Sequence, residues 1–390
     1  MTTAAGLPLR TALRWGALML FGLGCALALY SSLLGADRPG VTTALGYYSG
    51  YDQGSYLKMA GIFARGDLPA NAGEYTYGVG YPLLAAPLVA SGVADPFLPL
   101  DAVLFGLTVA LTFLLGARIA SGRPAGVQLT VGAVSAALLA LVSPALTLAT
   151  VPWNSNLVVP LGLVVLLAVT SPRPLTGRVA LAVGLAVGAI FATRYLDAVF
   201  LGLPVLAAMV ARSRADARRL ALYGGIGAGS VLLLVLGSQQ YAFGSPFTTP
   251  YRFHLRPGTR ISDQSTGQYR LSWIPRHLTG TFLTARDGAV RSAAPPVLQQ
   301  FPTLALTPVS VGFLRRLPGG HRLIWVTALA GSLVGSLFYL SFIAGSATDL
   351  AYGNARYWAA FYPLWSVLGV WATLQVGERL LHGRPAQPQR

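Results

Sequence analysis

Residues 323–345 read LIWVTALAGSLVGSLFYLSFIAG, a stretch without a single charged side chain. About 20 apolar residues are needed to cross the hydrocarbon core of a bilayer as a helix. This stretch meets that length, and it is not alone. Residues 15–34, 102–117, 127–151 and 220–237 are apolar runs of similar character. Charged residues make up only 10% of the chain and mean hydropathy is +0.59, where a soluble domain carries about a quarter charged residues. The sequence therefore reads as an all-α polytopic membrane protein, with almost none of it in soluble domains. The first apolar run is too long for a cleavable signal and lacks a small-residue cleavage site, so it reads as a retained first span.

The spans predicted are about ten: 13–34, 97–117, 127–150, 156–171, 179–193, 196–211, 219–238, 301–314, 323–345 and 356–377. They form a single transmembrane domain over 1–378, followed by a basic tail, 379–390, expected to be disordered from Gly383 on. Two long loops interrupt the ladder, 35–96 and 239–300.

Charge sets the expected orientation. With the N-terminus inside, the inner segments hold Arg10, Arg14, Arg118, Arg123, Arg173, Arg178, Arg212, Arg214, Arg218, Arg219, Arg315, Arg316, Arg322, Arg379, Arg384 and Arg390. The short outer turns hold only Arg194 and Arg356. That is the positive-inside asymmetry. Both termini are then cytoplasmic, the two long loops face outward, and the compartment expected is the plasma membrane. Of the twelve acidic residues only Asp216 and Glu378 fall inside, so chemistry is expected at the outer face. The formal charge of +16 does not point to nucleic acid, because the basic residues are spread between apolar spans and not gathered on one face. Cys25 is the only cysteine, which excludes an intrachain disulfide.

The first outer loop carries the densest signals. Asp52 opens a predicted short helix running to about Ala64, in whose first turn a carboxylate is favoured by the helix dipole. Tyr56, Met59, Ala60 and Phe63 give that helix an apolar face, which would lie on the membrane surface. Gly66-Asp67 ends it. An aromatic, glycine-rich turn follows, 75–82, YTYGVGYP, then an apolar stretch to Ala90 too short to span. The bland readings are an N-cap for Asp52, headgroup contacts for Lys58 and Arg65, and an interfacial aromatic belt for the tyrosines.

The order of features in this loop resembles the first outer loop of GT-C fold glycosyltransferases, such as protein O-mannosyltransferases and the aminoarabinose transferases of lipid A. Two further segments are similar to theirs: 241–251, YAFGSPFTTPY, after a middle span, and 353–363, GNARYWAAFYP, at the start of a late one. The resemblance implies transfer of a sugar from a polyprenyl-phosphate carrier to a glycan, lipid or protein acceptor at the outer face, usually with inversion. It places the general base at Asp52 and the carrier phosphate at Arg356 and Tyr357. Arg194 is a second phosphate candidate, although at i,i+3 it can equally pair with Asp197. Lys58 is a third, Glu74 a candidate for sugar hydroxyls, and Tyr77 and Tyr81 further contacts.

The sequence departs from the metal-dependent oligosaccharyltransferases of this fold. Their second outer turn supplies carboxylates, but here it reads Val151-Pro-Trp-Asn-Ser-Asn156, with no Asp or Glu between Asp101 and Asp197. A hard cation wants several oxygen ligands, so no essential metal and no other cofactor is expected. Asn154 is expected to cap the next span, with Asn154 or Trp153 as alternative sugar contacts. The second loop bears Arg252, Arg256, Arg260, Arg270, Arg276, Arg286 and Arg291, which reads either as attraction to anionic membrane lipids or as a lid over an anionic ligand. Two other functions remain open on the sequence: a transporter or flippase of a lipid-linked sugar, and a non-catalytic membrane scaffold. A transporter wants ionisable groups at mid-membrane, and the span centres here are nearly free of them.

Overall fold

The computed structural model describes residues 21–34, 51–141, 149–250, 269–292, 294–317, 319–342 and 354–382. Among these the chain is overwhelmingly helical. The principal helices are α1 (Phe21–Leu33), α2 (Tyr51–Ala64), α3 (Gly80–Ala90), α4 (Phe97–Ile119), α5 (Ala125–Leu141), α6 (Ser155–Val169), α7 (Gly177–Thr193), α8 (Tyr195–Ala211), α9 (Arg214–Phe243), α10 (Pro302–Leu314), α11 (Gly319–Ser341) and α12 (Tyr362–His382). A 3-10 run, Asn354–Phe361, leads into α12. Strand structure among the described residues is a hairpin of two-residue strands, Arg286–Asp287 and Val290–Arg291, turned at Gly288, and a lone antiparallel bridge from Tyr269 to Phe342.

Helix occupies part of every segment expected to span. Four candidates are both long and apolar enough to cross a membrane: Phe97–Ile119, Arg214–Phe243, Gly319–Ser341 and Arg356–Leu381. The remaining apolar helices are shorter. The last helix continues to His382. Residues 383–390, and the loop arginines 252, 256 and 260, lie outside the described residues.

Burial sorts the helices. α12 is central: Leu364, Trp365, Val367, Leu368, Trp371 and Ala372 are all buried, against α5 and α10. α9 is peripheral and turns Leu222, Ile226, Leu233 and Leu234 outward. A row of exposed leucines on a long apolar helix suits lipid rather than water as neighbour. Around α12 the contacts pair α4 with α5 and α6, α7 with α9, and α8 with α11.

The first loop folds into the bundle and does not float on it. α2 packs against α3, and its face of Tyr56, Met59 and Ala60 is fully buried in protein. The apolar face expected to rest on lipid is thus turned to protein. Tyr75 and Tyr81 are likewise buried, so these tyrosines are core residues and not an aromatic belt. Gly66 ends α2 with φ of 79°, a conformation glycine adopts without steric cost.

Candidate functional site

α2 begins one residue before Asp52 and places its carboxylate at the helix's first turn. Two side chains meet that carboxylate. Its Oδ1 accepts a hydrogen bond from the Tyr77 hydroxyl, and its Oδ2 lies 3.1 Å from Nη1 of Arg356. Burial, and then the charge of Asp52, push the Tyr77 phenol well above its ordinary pKa. It therefore stays protonated and donates.

Two glycines bring Tyr77 to this place. A Cβ on Gly78 would stand 2.4 Å from the Thr193 carbonyl oxygen, and one on Gly80 would stand 2.2 Å from the Thr193 hydroxyl. Only glycine lets the 75–82 turn sit so close to the end of α7. Thr193 precedes Arg194, so the same contact sets the first loop beside the α7–α8 turn. Gln53 adds a second tie, donating from Nε2 to the Pro152 carbonyl at 3.4 Å.

Arg356 comes from the far end of the chain, in the 3-10 run before α12. Its guanidinium lies over the Trp153 ring at 4.1 Å from the centroid and beside the Tyr357 ring at 5.2 Å. Nη2 donates to the Tyr357 hydroxyl at 3.3 Å. Such stacking suits the planar, weakly hydrated guanidinium. Arg356 is thus held between two aromatic faces and one carboxylate, with a quarter of its side chain exposed.

Behind Arg356 sits a second pair. Arg194 Nη1 is 3.1 Å from Oδ2 of Asp197, the i,i+3 pairing open to it from the sequence. Asp197 is fully buried and its Oδ1 accepts from the Tyr339 hydroxyl. The contact of Oδ2 with Arg194 is an ion pair without hydrogen-bond geometry. Arg194 spends its donors elsewhere: Nη1 on the Arg356 carbonyl at 3.2 Å and Nη2 on the Tyr339 hydroxyl at 3.2 Å. The Tyr339 and Tyr357 rings stack at 5.3 Å. Arg194 therefore grips the backbone of Arg356, and its charge is matched by a buried carboxylate.

The structure brings together Asp52, Tyr77, Arg194, Arg356 and Tyr357 of the residues singled out from sequence. With them stand Trp153 and Asp197, also named from the sequence, and the structure adds Tyr339. It does not bring the others. Tyr81 is fully buried and gives its hydroxyl to Asp101 at 2.7 Å. Lys58 donates to the Gly73 carbonyl at 2.9 Å, and Glu74 accepts from the Ala70 amide at 2.9 Å. That amide, and the nearby Lys58 and Arg65, hold the exposed Glu74 carboxyl below its ordinary range. Lys58 and Glu74 face a separate groove along α2, lined also by Gly54, Gly61 and Arg65. Asn154 stands at the N-cap position of α6 but its side chain makes no cap; its Nδ2 approaches the Thr193 carbonyl at 3.4 Å.

A second, small cavity of about 40 Å³ opens among α4, α6 and the residues after Arg356, lined by Asp101, Phe105, Thr108, Asn156, Ala359 and Tyr362 among others. Among the described residues no three His, Cys, Asp or Glu side chains gather in a metal-binding group. Comparison with known protein families, with curated proteins and with solved structures finds no match for this chain.

Proposed function

We propose that this protein is a GT-C-like membrane glycosyltransferase that moves a sugar from a polyprenyl-phosphate carrier to a glycan, lipid or protein acceptor. In this reading ten spans cross the plasma membrane, both termini are cytoplasmic, and the reaction takes place at the outer face. The observation that carries it is the 3.1 Å approach of Asp52 and Arg356. These two side chains, from opposite ends of the chain, are the ones whose chemistry such a transfer needs.

Asp52 takes the proton of the acceptor hydroxyl as that oxygen attacks the anomeric carbon. The new C–O bond forms as the bond from that carbon to the phosphate oxygen breaks. The phosphate leaves with the bonding pair, and the Arg356 guanidinium stabilises the charge. Arg194 and Tyr339 are positioning residues that fix Arg356. The groove along α2 opens at Gly54 and Leu57, just after Asp52 on that helix, and suits an acceptor.

The test is transfer from radiolabelled polyprenyl-phosphate sugars in membranes carrying wild type or Asp52→Asn, with mannose, glucose and arabinose donors. Transfer by wild type, reduced at least about 100-fold in Asp52→Asn, is the expected result. Equal transfer by both removes Asp52 as the base and leaves its contact with Arg356 a structural staple.

A further inference from the structure

Asp52 is an odd general base as it stands: it is already neutralised by the arginine assigned to the phosphate. The geometry of that pairing is informative. Asp52 reaches Arg356 through one oxygen and one nitrogen only, Oδ2 to Nη1 at 3.1 Å, while its Oδ1 belongs to Tyr77. The pair is one-pronged, although a guanidinium and a carboxylate can form two parallel bonds. A phosphate offers more oxygens and can take two donors of the same guanidinium. Among the described residues every side-chain contact of Arg356 is to another side chain: Asp52, Tyr357 and the Trp153 face. Among the described residues none of its donors goes to the backbone, so a change of partner disrupts no described helix end or turn.

We propose that Asp52 occupies the anion site of Arg356 only in the empty protein, and that a phosphate ester displaces it. The carboxylate keeps the Tyr77 hydroxyl, loses its counter-charge and faces the negative phosphate instead. Its Oδ2, freed of the guanidinium, is then open to the proton of an acceptor hydroxyl. Phosphate binding thereby switches on the base, and the phosphate-bearing substrate must bind before the acceptor reacts. The identity of that substrate rests on the glycosyltransferase reading; the displacement itself does not.

The experiment is equilibrium binding of farnesyl phosphate, with inorganic phosphate as a second probe, to the purified full-length protein in nanodiscs at fixed ionic strength. Removing the competing carboxylate in Asp52→Asn is expected to tighten farnesyl phosphate binding about tenfold, and Asp52→Ala to do the same should the first variant misfold. Arg356→Gln is expected to weaken it by at least about tenfold. Binding no tighter in either Asp52 variant overturns the displacement, even if Asp52→Asn also abolishes sugar transfer. Tightening without transfer from any sugar donor keeps the displacement and removes the glycosyltransferase reading. Equal tightening for inorganic phosphate assigns the site to a free anion; tightening confined to farnesyl phosphate assigns it to a lipid-linked one.

Discussion

Helix α8 carries an arginine at each end, and the two are held in opposite ways. At its C-terminal end, Arg212 pairs with Asp216 at 3.0 Å and also donates to the carbonyls of Val169, Ser171 and Arg173. Asp216 in turn accepts from the Leu175 amide and pairs with Arg219. Orphan carbonyls at the end of α6 are satisfied this way, and the whole arrangement is a splice between backbone segments. At the N-terminal end, Arg194 donates to the Arg356 carbonyl and to the Tyr339 hydroxyl, and among the described residues the Arg356 side chain beyond it meets side chains alone. Both ends contain arginines, carboxylates and short distances. What separates them is the kind of partner. An arginine tied to backbone cannot let go without undoing a fold element, whereas one tied to side chains can exchange one anion for another.

That contrast can be broken by experiment. The largest effect on stability is expected at the splice: Arg212→Ala leaves buried carbonyls and Asp216 short of donors and should cost about 3 kcal/mol or more, read as a lowered melting temperature in detergent. Arg356→Ala should cost clearly less on the same assay; equal losses would erase the distinction between the two ends. Next comes Gly78→Ala, whose methyl meets the Thr193 carbonyl and should cost about 1–3 kcal/mol by forcing the first loop off α7. Tyr339→Phe, which leaves the buried Asp197 without its hydroxyl donor, should cost about 1–2 kcal/mol. Restoration by no other substitution than a hydroxyl-bearing one would tie the effect to that bond. Smallest is Lys58→Ala, an exposed tie to one loop carbonyl, expected within about 0.5 kcal/mol of wild type. A large loss there would mean that the α2 groove belongs to the fold after all.

The helices were legible because long apolar runs leave the backbone few other ways to satisfy its polar groups. The tie between Arg194 and Asp197 was legible from their spacing alone. Asp52 and Arg356 could be paired only through the order of motifs along the chain, since nothing local in either segment names its partner. Lys58 could have been set aside earlier. It lies six positions from Asp52, about 240° around a helix of 3.6 residues per turn, and so points away from the carboxylate. Tyr77 and Tyr81 could not be told apart, because the glycines between them reverse the chain and only the contact with Thr193 decides which one meets Asp52. Trp153 and Tyr339 gave no signal as arginine partners. Tyr339 follows Phe338 in an apolar run and Trp153 precedes Asn154 in a turn, and the role of each appears only when distant helices converge.

The 3-10 run that carries Arg356 also sets a length. Eight residues in this winding is long for a helix type used mostly in short pieces. It rises about 2.0 Å per residue against about 1.5 Å in an α-helix. From Arg356 to Phe361, five steps along the chain, the excess is therefore about 2.5 Å, against the 3.1 Å contact with Asp52. Were these residues to continue α12 as ordinary α-helix, the guanidinium would retract by most of the length of that contact. The winding of one short segment is thus a ruler for the site, and rewinding it is enough to open or close the distance on which the chemistry depends.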